Sequence, residues 1–154
     1  MTTWTGWARA PGAMLAIAIL LLSASGCVAP AFDADYYDEQ ALQSVLASES
    51  ELQTTRIVLE LTTADRILGT TADEIVSASE TAMASVVSSF RTVQPPVSAE
   101  GVQERTMRFL SASEDAITQA RIAVRRSDIV AIGLALQRVQ RLLAGADSVR
   151  EPMR

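Results

Sequence analysis

The sequence predicts an all-α chain, an antiparallel up-down four-helix bundle, and three observations carry that expectation. Four segments between Tyr37 and Ala146 repeat apolar residues at three-four spacing, the signature of a helix that buries one face. Short turn signals separate the segments, which returns each helix alongside the one before it. No run alternates apolar and polar residues with period two between turn residues, so strands are not expected.

The first helix is expected from Tyr37 to Leu68, with Leu42, Val45, Leu46, Leu52, Leu59 and Ile67 on its apolar side. Ala41, Ser48, Thr55 and Thr62 fall seven apart and make a small-residue stripe that lets a neighbouring helix come close. "LGTTADE" then supplies a stop and a start: Gly69 suits the left-handed C-terminal conformation, and Thr71 with Glu74 has capping-box spacing. The alternative carries the chain through Gly69 in one long first helix and gives a three-helix bundle.

The second helix, Ala72 to Val93, is built on Ile75, Val76, Met83, Val86, Val87, Phe90 and Val93, and "QPPVS" ends it because proline lacks an amide donor and restricts its predecessor. The third runs from Ala99 to Arg125 with Val102, Phe109, Leu110, Ala116, Ile117, Ala120 and Val124 inward. In "RRSD", Ser127 is the expected cap of a fourth helix from Asp128 to Ala146, built on Ile129, Ile132, Leu136, Val139, Leu142 and Leu143. "RIVLELTTAD" and "RIAVRRSD" look alike, each just before a turn, with too few identities to establish a duplicated hairpin. A bundle domain over 37–147 and a flexible tail over 148–154 complete the expected organisation, within a length that suits one domain with its own core.

Composition narrows the chemistry. There is no histidine, which removes the commonest general base and transition-metal ligand, and all 13 basic residues are arginine. Serine and threonine are plentiful, but without histidine or lysine no hydroxyl has a conventional activating base. A non-catalytic protein without metal or cofactor is therefore expected. Glu100 with Glu104, and Glu114 with Asp115, read as solvated helix faces rather than as metal ligands or a glycosidase pair. The formal charge of -5 is uneven: acids dominate from Cys27 to Ala99, and arginines outnumber acids from Glu100 onward. Two halves that pack with complementary charge explain this, and the weakly basic second half, with Phe109 as its one aromatic residue, does not suit nucleic acid.

The N-terminus is more specific. Arg9, an apolar run from Ala13 to Leu22 and the small residues after it have the build of a signal peptide over 1–26, the run being well short of the roughly 20 residues that span a bilayer. "SASGC", Ser23 to Cys27, resembles the lipobox of bacterial lipoproteins, with Ala24 where leucine is most frequent. The resemblance implies cleavage between Gly26 and Cys27 and a lipid on Cys27, the only cysteine in the chain. Residues 27–36 then form the lipidated N-terminus and tether. Cleavage after "APA", Ala29 to Ala31, and a free or intermolecular thiol at Cys27 are the competing readings. Together with "DADYYDEQ", "TVQPP" and "ARIAVRRSD", the lipobox makes the chain look like small helical lipoproteins of actinobacteria, a resemblance that implies location and fold and supplies no activity.

The expected function is thus a membrane-anchored, non-catalytic binding or structural module of the cell envelope, held on the extracytoplasmic face by its lipid, with an envelope protein as partner. Arg121, Arg125 and Arg126 are the candidate partner-binding residues, against simple pairing with the acidic half. Tyr36 and Tyr37 read either as interfacial residues or as a staple fixing the entrance to the first helix. The rival function is carriage of a small apolar ligand between helices, in a cavity lined by Met83, Phe90 and Phe109.

Overall fold

A computed structural model describes residues 33–153. Four helices, α1 (Ala34–Thr63), α2 (Gly69–Arg91), α3 (Glu100–Arg125) and α4 (Ile129–Arg150), account for most of them, with short 3-10 turns at Val97–Ala99 and Glu151–Met153. Each helix packs on the next in chain order, α4 closes against α1, and α1 also meets α3 across the diagonal. Ala64–Leu68 separates α1 from α2, so the three-helix alternative does not hold.

The diagonal contact follows from residue size. On α1, Ala41, Ser48 and Thr55 are buried together with Val45, Leu52 and Leu59; on α3, Thr106, Ser113 and Ala120 are buried together with Leu110, Ile117 and Val124. Both helices thus alternate a small residue with a large aliphatic one at three-four spacing, which lets two backbones approach while the large side chains fill the space beside them. Each large residue taken out of water contributes about 1.5 to 3 kcal/mol. The hydroxyls exact a cost: Ser113 Oγ donates to the Phe109 carbonyl at 2.9 Å, whereas those of Ser48, Thr55 and Thr106 are buried with no hydrogen-bond partner among the described residues.

The ends of the helices depart from expectation in instructive ways. Gly69 is the first residue of α2 and has no positive φ; the left-handed position belongs to Asp65, at φ 53°. Thr71 lies inside α2, whose N-cap is Leu68, with no side-chain cap. Ser127 does not cap α4 either: it is the left-handed residue of its turn at φ 51°, and Asp128 is the cap, accepting from the Ala131 amide at 3.0 Å. At the start of the described residues α1 begins at Ala34 rather than Tyr37, capped by Asp33, whose carboxylate accepts from the Asp35 amide. At the other end α4 passes the expected boundary at 147, and Met153 is buried in the segment expected to be a flexible tail. That segment is held by packing of its 3-10 turn on α1 and by an ion pair from Arg150 to Glu49 at 3.2 Å.

Candidate functional site

Gly26 and Cys27, the expected cleavage and lipidation positions, lie outside the described residues. Among those that are described, the arginine cluster sits where α3 meets α2. Arg121 Nε lies 2.5 Å from Glu80 Oε2, and Arg125 Nη2 lies 3.3 Å from Asp73 Oδ2. Arg126 is the exposed C-cap of α3. Two of the three candidate partner-binding arginines are thus engaged with the acidic half of the chain. Arg150 with Glu49 is a third pair of the same kind. Arg121 with Glu80 and Arg125 with Asp73 are partly solvated, so each contributes about 0 to 1 kcal/mol and serves register more than stability.

The same end of the bundle carries apolar surface. Leu68 is 74% exposed, Ile129 59%, Val130 76% and Leu134 62%. A cleft of about 440 Å³ lies beside them, lined by Leu68, Gly69, Thr70, Asp73, Val124, Arg125 and Ser127. Periodicity alone puts Ile129 inward, and α4 explains why it is not. This helix is long and apolar enough to cross a membrane by length and composition, so its apolar residues wrap around it, yet only 22% of that apolar stretch is buried. Its buried residues are Ile132, Ala135, Val139 and Ala146, with Leu136, Leu142 and Leu143 partly buried against the core, leaving Ile129, Val130 and Leu134 exposed on other faces.

The residues named for an internal ligand cavity are core. Met83 is fully buried and Phe90 and Phe109 nearly so, with the Phe90 ring 5.7 Å from that of Tyr37. Burial and the neighbouring Asp38 carboxylate push the Tyr37 phenol up to about 12. Tyr37 therefore acts as an apolar anchor at the start of α1, while Tyr36 is 53% exposed. Phe109 also borders a shallow groove of about 320 Å³ between α3 and α4, together with Arg105, Arg108, Ala112, Leu142, Ser148 and Val149. Periodicity marks Phe109 as core and gives no sign that its edge floors a groove.

The Glu49 carboxyl lies 3.2 Å from Arg150. Burial pushes it above its ordinary value, Arg150 opposes the rise, and Asp147 adds to it. Two of the acids weighed against a metal-binding role have arginine neighbours instead: Glu104 pairs with Arg108 at 2.6 Å and Asp115 lies 3.9 Å from Arg138. Among the described residues no three cysteine or acidic side chains gather as a metal site would require. The chain matches no family model, no curated protein and no solved structure.

Proposed function

We propose that this chain is a lipid-anchored helical module of the bacterial cell envelope, tethered through Cys27 to the extracytoplasmic face of the membrane and acting by binding rather than catalysis. The observation that carries the reading is the single cysteine placed directly after "SASG", itself preceded by a short apolar run and one arginine. A thiol kept for packing belongs inside an amphipathic helix, and a disulfide needs a second cysteine; Cys27 has neither context. Several acyl chains, at about 0.8 kcal/mol per buried methylene, give a stable anchor where one chain is marginal.

The bundle in this reading is antiparallel and up-down. Support comes from which ends meet: Tyr37 at the start of α1 stacks near Phe90 at the end of α2, and Asp73 at the start of α2 pairs with Arg125 at the end of α3. With α1 spanning 30 residues, the turn end stands about 45 Å from the tether. Its exposed leucine, isoleucine and valine side chains are the surface offered to an envelope protein, and tethering raises its local concentration near such partners.

The test is the intact mass of the protein extracted from membranes of its own host, beside a Cys27→Ala variant. A chain starting at Cys27 with an added diacylglyceryl mass, absent from the variant, is the expected result. An unmodified chain starting near Phe32 overturns the anchor.

A further inference from the structure

We propose that the groove between α3 and α4 holds one anionic phospholipid drawn from the membrane that carries the anchor; the source of the lipid rests on the anchored reading above, the groove does not. Phe109, Ala112, Leu142 and Val149 make an apolar floor, and Arg105 and Arg108, one helical turn apart, stand on a single wall. An acyl chain against the floor and a phosphate between two guanidiniums satisfy both surfaces at once, because arginine forks match phosphate oxygens.

Arg105 is free to take a phosphate, and Arg108 would have to give up Glu104 to do so. Arg105 has no ion-pair partner among the described residues, and its Nη1 lies back toward Gly101, where an added side-chain carbon would meet it at 3.4 Å. Arg108 pairs with Glu104, but both side chains are at least 70% exposed, so the pair is weak and exchangeable.

Position agrees with chemistry. The groove combines the first half of α3 with the last half of α4, and the turns at Val97–Ala99 and Glu151–Met153 that border those halves both pack on α1, the helix that comes after the tether. Asp33, Asp35, Asp38 and Glu39 open that helix and repel an anionic surface as a whole, whereas Arg105 and Arg108 line the groove itself. Selection is therefore local, one lipid at a time, rather than adhesion to a charged membrane.

The experiment places a photo-crosslinking amino acid at Ala112 in the full chain, and at exposed Ser88 on α2 as the control, in vesicles of equal parts phosphatidylglycerol and phosphatidylcholine. At position 112 phosphatidylglycerol adducts should exceed phosphatidylcholine adducts about tenfold, and the Arg105→Glu, Arg108→Glu pair should bring the ratio to parity with an unchanged melting curve. Equal adducts of the two lipids, no excess over position 88, or adducts to the chain's own Cys27-bound acyl groups overturn the proposal. The intact mass of the same sample reports Cys27 separately. An unmodified Cys27 with selective adducts at 112 overturns the anchor and keeps the groove, and the converse does the opposite.

Discussion

At the α1–α2 turn Asp65 takes the left-handed conformation and the Arg66 amide donates back to the Leu61 carbonyl at 2.8 Å; at the α3–α4 turn Ser127 takes it and the Asp128 amide donates back to Ala123 at 3.1 Å. The two turns use the same hydrogen-bond pattern with different residues, and neither places a glycine at the left-handed position. The helices that leave the two turns differ. α2 starts on an uncapped leucine, whereas α4 starts on a capping aspartate and leaves its first apolar residues in solvent. A common turn thus joins a first helix pair that exposes Leu68 at the turn itself and a second that also leaves Ile129, Val130 and Leu134 of α4 in solvent.

The diagonal seam is one of the three places where the two helix pairs meet, and its large buried residues carry the largest expected effects. Leu52→Ala on α1 and Ile117→Ala on α3 should each cost about 2 to 5 kcal/mol in urea denaturation, since both are fully buried at matching places in the small-large pattern. A loss confined to one of them would show that the hairpins fold with separate cores. The small positions behave in the opposite sense. Thr55→Val keeps the shape and removes a buried hydroxyl with no partner, so stability should rise by about 1 kcal/mol; a fall would mean that the hydroxyl is satisfied in solution.

The turns sharpen the comparison on a finer scale. Asp128→Ala should cost about 1 kcal/mol through loss of the cap, and Leu68→Asp should recover part of that amount in the hairpin that lacks one. Ser127→Gly should stabilise by up to about 1 kcal/mol and Asp65→Gly by less, because aspartate tolerates the left-handed region better than serine. Thermal melting of the four variants ranks them, and a destabilised glycine variant at either turn would refute the assigned backbone.

How far the structure is legible in the sequence depends on the range of the interaction. The helices, the boundary at Gln94–Ser98 and the small stripe of Ala41, Ser48 and Thr55 follow from periodicity and backbone chemistry within a few residues. The break before α2 is legible too, but its mechanism is not: glycine is the default for a positive φ, and here an aspartate earlier in the chain takes it. Long-range outcomes are hidden. The side of α4 that faces the core depends on where α1 and α3 lie, which puts Ile129 in solvent, and the burial of Met153 depends on a partner surface on α1. Pairing of Arg121 and Arg125 is foreshadowed by the charge asymmetry, whereas the groove beside Arg105 exists only once two helices meet.

The smallest effect concerns the contact that ties the end of the second hairpin to the first. Glu49 and Arg150 are each less than a fifth exposed and lie 3.2 Å apart, yet burial outweighs the arginine and holds the Glu49 carboxyl above its ordinary value of 4.5. A carboxyl with a raised value in the folded state binds its proton more tightly there than in the unfolded chain. Its favourable contribution is therefore complete below the unfolded value and is lost as pH rises through the folded one. In the window just above 4.5, the melting temperature of the wild type should fall with rising pH relative to that of Glu49→Gln, which keeps shape and hydrogen-bonding capacity without titrating. Arg150→Gln should widen the window, because the opposing guanidinium is gone while burial and Asp147 remain. If the wild type instead gains stability over Glu49→Gln through that window, Arg150 outweighs burial, and the tie between the hairpins is an ordinary ion pair.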